Sequence, residues 1–242
     1  MKLIKLGGSL LDDAARRAEV LDAIVASWNA GEELVLVHGG GKHIDAALSK
    51  LGIAKKTHAG LRVTDAATLD VVVATLAGSV NTMLVAELTA RGVRAAGVSG
   101  TDAGTIVAEP HPAIDGVELG HVGRVTGASR TLIRAMLTYG ILPVVSSVAQ
   151  GPDGTVLNVN ADSAASALAV ALGAESLVFL TDVDGVLDAQ RALLPSLHAA
   201  EVEALIENEI ITGGMRPKLQ AALQALGSGV GRITIGRTDV AA

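Results

Sequence analysis

The chain has no cysteine among its 242 residues, and Trp28, Tyr139 and Phe179 are its only aromatic side chains. The first absence excludes disulfides, thiolate nucleophiles and thiolate metal sites. The second removes the ring platforms on which nucleic-acid bases stack, and a formal net charge of −6 disfavours a polyanionic partner, whether nucleic acid or anionic membrane. No run of about 18 consecutive apolar residues occurs, so no membrane span is expected. The apolar opening is broken by Lys5, Gly7 and Gly8 and stops at Asp12, too short and too polar for a signal h-region; an uncleaved cytoplasmic chain is expected. The six histidines are scattered without H-E-x-x-H, and His38 and His43 lack carboxylates at metal-ligand spacing, so no protein-borne metal site is expected. Neither a G-x-S-x-G elbow nor a G-x-x-x-x-G-K-[ST] loop is present, and "GSGVGR" at Gly227–Arg232 lacks the last glycine and the setting of a dinucleotide fingerprint.

Half of the residues are apolar and 18% are charged, which supports a folded, aliphatic core. Strand and helix signals alternate. Leu3–Leu6 reads as a strand, Ala14–Asn29 as a helix, Leu34–Val37 as a fully buried strand and Lys42–Leu51 as a helix. A long helix is expected from Thr64 or Asp65 to Ala90, then a strand over Val93–Val98 and hairpins within Thr101–Val125. Helix, strand and turn follow from Ser129 to Asp162, then a helix over Ala161–Leu172, the strand and loop "SLVFLTDVDGVL", two helices and a final strand "RITIG". This order predicts one α/β domain with a mostly parallel sheet covered on both faces. The Pro-Asp-Gly turn near Pro152 is the single weak mark of a lobe boundary.

Several short motifs carry chemistry. Gly39-Gly40-Gly41 follows a buried-type strand and opens a helix, where backbone N–H groups can approach an anion at the positive end of the helix dipole; a tight turn without a ligand explains the glycines equally well. Lys5, Gly7 and Gly8 repeat the pattern. A lysine in an apolar strand is costly unless its ammonium reaches a cleft or an anion, or simply solvent at an edge. "NVNAD" at Asn158–Asp162 starts a helix, with Asn160 or Asp162 able to cap it. "TDVDG" at Thr181–Gly185 is an acidic turn after a strand. Lys218 falls in the first turn of a helix, where the dipole disfavours a cation unless an anion compensates.

The order Lys-x-Gly-Gly-Ser, "VHGGGK", "GLRVT", "LNVNAD", "LTDVDGVL" and "GGMRPK" resembles the amino-acid kinase family over Met1 to about Arg237, and within it the branch that phosphorylates N-acetyl-L-glutamate. The resemblance implies an α/β/α sandwich of about eight central strands, mainly parallel and open, with an acceptor-binding lobe over about residues 1–150 and a nucleotide-binding lobe over about 151–242. It implies ATP and Mg²⁺ and an acyl-phosphate product, the second step of arginine biosynthesis. Lys5 and Lys218 match two transition-state lysines, and Asp162 the acid that positions them. Gly8, Gly40 and Gly41 match backbone donors around the phosphoryl group and acceptor. Arg62 matches the grip on the acceptor's α-carboxylate and Asn158 the contact to its acetylamino group. Asp182, Val183, Asp184, Gly185, Val186 and Leu187, with Ile210, Ile211 and Thr212, match nucleotide-binding segments. Relatives often continue for another strand and helix past the position of Arg237, which puts the completeness of the sheet edge in question. An N-terminal helical extension found in hexameric, arginine-inhibited members is missing from the sequence, so a homodimer without strong arginine feedback is expected. Two other readings fit the resemblance: a kinase for a carrier-protein-linked aminoadipate or glutamate, and a silent sensor on the same fold.

Overall fold

The computed structural model describes residues 1–181, 183–208, 210–211 and 213–241. β1 (Lys2–Leu6) is buried over its last four positions and leads into the one-turn helix α1 (Gly8–Asp12). α2 (Ala14–Asn29) starts at Asp13, whose carboxylate accepts from the Ala15 and Arg16 N–H groups. β2 (Leu34–His38) is buried at every position and feeds α3 (Gly41–Lys50). A small hairpin follows, β3 (Thr57–His58) and β4 (Leu61–Arg62), which sequence periodicity does not announce because two-residue strands have no period.

The long expected helix is present, with a change of register inside it. α4 (Ala66–Val73) passes through a π-helical stretch, Ala74–Val80, into α5 (Asn81–Ala90). By length and composition this rod could cross a membrane. Its Val71, Val72, Leu76, Val80, Leu84 and Leu88 are nonetheless buried in the protein's own core, which accounts for the apolar character.

β5 (Ala95–Ser99), β6 (Ile106–Pro110), β7 (Val122–Ala128), α6 (Thr131–Thr138), β8 (Leu142–Ser146), β9 (Val148–Gln150) and β10 (Val156–Val159) complete the first part. α7 (Ala161–Leu172), β11 (Ser176–Leu180), β12 (Ser196–His198), α8 (Ala199–Glu207), α9 (Met215–Gly227), β13 (Arg232–Ile235) and β14 (Thr238–Ala241) make up the rest. Among the described residues eight strands form the central sheet in the order β12-β14-β13-β11-β1-β2-β8-β5, and β13–β14 is its one antiparallel pair. The expected mainly parallel sandwich is therefore correct. "RITIG" is not the last strand, however: β14 folds back through Gly236 (φ 57°) and lies between β13 and β12.

Central strands alternate their side chains between two apolar layers, as burial on both faces requires. Leu3, Val35, Val37, Val145 and Phe179 pack with α7 and α9, whereas Ile4, Leu6, Leu34, Leu36 and Val144 pack with α2 and α5. Of the three aromatic residues only Phe179 is fully buried, and Tyr139 is 74% exposed. The hairpin expected around "TIVAEP" is β6–β7, which joins β9 and β10 in a small second sheet closed by the pair Val107–Gln150.

Candidate active site

β1 lies between β11 and β2, and the loops leaving the C-terminal ends of these parallel strands are where ligands bind in open α/β sheets. Lys5 is near the end of β1 and only 7% exposed, so its ammonium needs a counter-charge. Asp162 provides it: Lys5 Nζ lies 2.8 Å from Asp162 Oδ1. Asn160 caps α7 by accepting from the Asp162 and Ser163 N–H groups. The Asp162 carboxylate is thereby left free to face the lysines. Lys218, from the first turn of α9, donates to Asp162 Oδ1 at 3.0 Å and Oδ2 at 3.1 Å, and its Nζ stands 5.4 Å from the centre of the Phe179 ring. Here is the anion that a cation at a helix N-terminus requires.

Burial pushes the Asp162 carboxyl up, but the Lys5 and Lys218 charges outweigh it and hold the group below its ordinary value. Burial, and then the Lys5 charge, lower Lys218, with Asp162 opposing both. Two ammonium groups against one carboxylate leave an excess of positive charge facing the cleft beside them.

That cleft, about 250 Å³, is lined by Lys5, Gly8, Gly39, Gly40, Gly41, Arg62, Asn158 and Asp162, with an apolar wall that includes Ile44, Leu61, Leu76 and Val122. The two glycine turns face each other: a Cβ on Gly8 would sit 3.5 Å from the Gly41 nitrogen. Gly7 packs against the end of β11, its N–H donating to Leu180 O at 2.9 Å. Arg62 Nη2 donates to Gly41 O at 3.2 Å and to the Asp45 carboxylate, while Nη1 is buried without a hydrogen-bond partner among the described residues. Arg62 lines the cleft, and a planar guanidinium there suits a carboxylate ligand. Asp45 also accepts from Lys55 at 2.8 Å. Burial raises the Asp45 carboxyl, and Lys55 and Arg62 together bring it below its ordinary value. Asn158 Nδ2 donates to Thr64 Oγ1 at 3.1 Å, and that hydroxyl donates to Arg62 O at 2.8 Å.

The seven residues expected at the acceptor and phosphoryl ends, Lys5, Gly8, Gly40, Gly41, Arg62, Asn158 and Asp162, thus share one cleft, and Lys218 joins them through Asp162. The expected nucleotide segments lie apart from it. Val183 and Asp184 are exposed, whereas Val186 and Ile211 are buried in the apolar core and have only main chain to offer a ligand. Gly185 and Leu187 continue this loop and Ile210 is half-buried; Asp182 and Thr212 lie outside the described residues. The loop is tied to the β13–β14 turn, since Arg237 N donates to Asp184 O at 2.6 Å and Val186 N to Thr238 Oγ1 at 2.9 Å. Sequence reasoning missed Asp45, Thr64 and Leu76. Thr64 stood inside the quoted "GLRVT" motif, but nothing in the sequence pairs Asp45 with Arg62 or turns Leu76 into the cleft.

The family model described as "Amino acid kinase family" matches residues 1–237. The chain belongs to the amino acid kinase family. Among curated relatives of this kinase, the acetylglutamate kinase of Solibacter usitatus (strain Ellin6076) is 47% identical over 96% of this chain and 89% of its own length. The acetylglutamate kinase of Methanopyrus kandleri is 44% identical over 95% and 92%. A solved structure of a Streptococcus mutans UA159 protein superposes with a TM-score of 0.89 at 31% identity, covering 99% of this chain and 98% of that one. The family kinase described here is accordingly an enzyme that uses ATP to phosphorylate a small molecule.

Proposed function

We propose that the cleft transfers the γ-phosphoryl group of ATP to the γ-carboxylate of N-acetyl-L-glutamate, giving N-acetyl-L-glutamyl 5-phosphate and ADP, the second step of arginine biosynthesis. One observation carries the reading: a buried lysine–aspartate–lysine cluster stands at one end of a small cleft, and Arg62 lines the same cleft. Curated relatives with the printed name acetylglutamate kinase add to it.

In this reading Arg62 holds the α-carboxylate and Asn158 the acetylamino group, leaving the γ-carboxylate toward Lys5 and Lys218. The acceptor is already an anion, so no general base is required. A carboxylate oxygen forms the new P–O bond as the bond from the γ-phosphorus to the ADP oxygen breaks. The protein's part is alignment and neutralisation of charge on the transferring group. Lys5, Lys218 and the N–H groups of Gly8, Gly40 and Gly41 serve that purpose, and Asp162 keeps the two lysines from repelling each other out of position. The 183–187 loop and Ile210–Ile211, with Asp182 and Thr212, take the nucleotide.

Both Asp162 oxygens are occupied by lysines, and the described residues contain no cluster of three or more acidic, histidine or cysteine side chains fit for a metal. Mg²⁺ would be carried by the ATP phosphates, where it would neutralise charge. The same reading divides the chain into an acceptor lobe over about residues 1–150 and a nucleotide lobe over about 151–242, and makes the enzyme a cytoplasmic homodimer with no nucleic-acid or membrane partner. Sedimentation would check the dimer.

The test is a panel of acids with ATP and Mg²⁺, with the acyl phosphate trapped by hydroxylamine. N-acetyl-L-glutamate should give the largest kcat/KM. Trapping with another acid and none with acetylglutamate would overturn the acceptor.

A further inference from the structure

The proposed chemistry gives His38 of "HGGGK" no task, yet it is fully buried, at 0% exposure, at the end of β2. A buried imidazole needs partners at both ring nitrogens. Its Nδ1 lies 2.9 Å from Gly39 O and its Nε2 3.0 Å from Asn81 Nδ2. Asn81, itself 5% exposed, also donates from Nδ2 to Val144 O at 2.9 Å.

These contacts fix the proton twice over. Val144 O can only accept, so the Asn81 amide nitrogen must face it, and the remaining N–H of that amide points at His38 Nε2, which must accept. Gly39 O can only accept, so the proton sits on His38 Nδ1. Protonating Nε2 would set donor against donor. Burial lowers the pKa of the ring from its ordinary 6.5 to about 4, with the Gly39 contact opposing and His43 adding to the shift.

The surroundings are built for the pair. Asn81 follows the π-helical stretch, and such a stretch shifts the register of every side chain after it. Opposite Asn81 stands Gly97, where a Cβ would lie 1.8 Å from Asn81 Oδ1. Glycine at 97 and a π-turn before 81 are both unfavourable on their own; together they admit one buried amide to one buried imidazole.

The consequence falls on the next peptide. The Gly39–Gly40 peptide bond is trans, so the Gly39 carbonyl and the Gly40 N–H point in opposite directions. With Gly39 O turned back onto the ring, the Gly40 N–H points away from it; Gly40 lines the cleft, and its N–H has no partner among the described residues. We propose that the Asn81–His38 relay is a positioning device that aims the Gly40 N–H at the transferring phosphoryl group or the acceptor carboxylate. It rests on the phosphoryl-transfer reading of this cleft. His38 touches neither reactant and acts through Gly39.

The test compares His38→Leu, which removes the donor, with His38→Asn, whose amide nitrogen overlays the Nδ1 position and can still donate to Gly39 O. His38→Leu should lower kcat about 10- to 100-fold, as loss of one oriented donor does, with KM for ATP within about twofold. His38→Asn should recover kcat to within about fivefold of the parent. A folded His38→Leu with unchanged kcat, or a His38→Asn no better than it, overturns the proposal. ¹⁵N NMR of the parent ring decides the matter if His38→Leu does not fold: a proton on Nδ1 and a bare Nε2 from pH 5 to 9 supports the relay, and the opposite tautomer sinks it. A parent enzyme inactive on acetylglutamate but showing the Nδ1–H ring would overturn the acceptor and leave the relay standing.

Discussion

Lys218 grips Asp162 through both carboxylate oxygens, at 3.0 and 3.1 Å, while Lys5 takes one of the same oxygens at 2.8 Å. Three of the roughly four acceptor positions of the carboxylate are taken by ammonium groups. It stands as a spacer between two cations.

Asp162→Asn should therefore act on folding as well as on turnover. It leaves two buried ammonium groups without a counter-ion, and removing one partner of a buried pair costs about 3–5 kcal/mol. Urea unfolding measures that loss. An Asp162→Asn variant of parental stability would show that the triad is solvated.

Lys218→Ala should cut kcat about 10²- to 10³-fold with little change in KM for ATP, because an ammonium facing the transferring group stabilises the transition state more than the ground state. Unchanged turnover would remove Lys218 from the chemistry.

Arg62→Lys keeps the charge but loses the planar fork, so KM for the acceptor should rise about tenfold or more with kcat largely retained. Asp45→Asn should move the same parameter less, since Gly41 O still holds Nη2. A change confined to ATP kinetics in either variant would contradict the placement of the acceptor.

The pH dependence of stability has a sign set by His38. Its folded pKa of about 4 is below the ordinary 6.5, so between these values the unfolded chain binds the proton and the folded one does not. Stability should fall as pH drops from 6.5 to 4, by roughly 3 kcal/mol from this group alone. His38→Asn should flatten that part of the curve. Carboxyls held low, such as Asp162, add their own loss below their ordinary 3.8.

Much of this architecture is legible in the sequence. "LVLV" reads as a strand buried on both faces, and Leu34–His38 is one; the Lys218 anomaly at a helix start points to an anion, and Asp162 is that anion. What is not legible is short or relational. β3, β4 and β12 have two or three residues each, too few for a period. β14 pairs on both sides with strands in mixed directions. The π-turn at Ala74–Val80 is not set apart by apolar periodicity, although Gly78 and Ser79 fall inside it, yet it decides what Asn81 faces. Asp45 looks like an ordinary exposed acid on a helix until β4 brings Arg62 beside it.

The placement of β1 also has a consequence for how the enzyme is made. This strand leaves the ribosome before every other strand of the sheet, yet it lies in the sheet's interior, in register with β2 on one side and β11 on the other. The triad likewise draws on Lys5, Asp162 and Lys218. A nascent chain can pair β1 with β2 early, but the neighbour at Ser176–Leu180 and the lysine of α9 arrive much later in synthesis. Such far-apart contacts slow folding and leave apolar strands uncovered meanwhile. The charge cluster cannot assemble until α9 has emerged, so these three side chains meet only late in the chain's own synthesis.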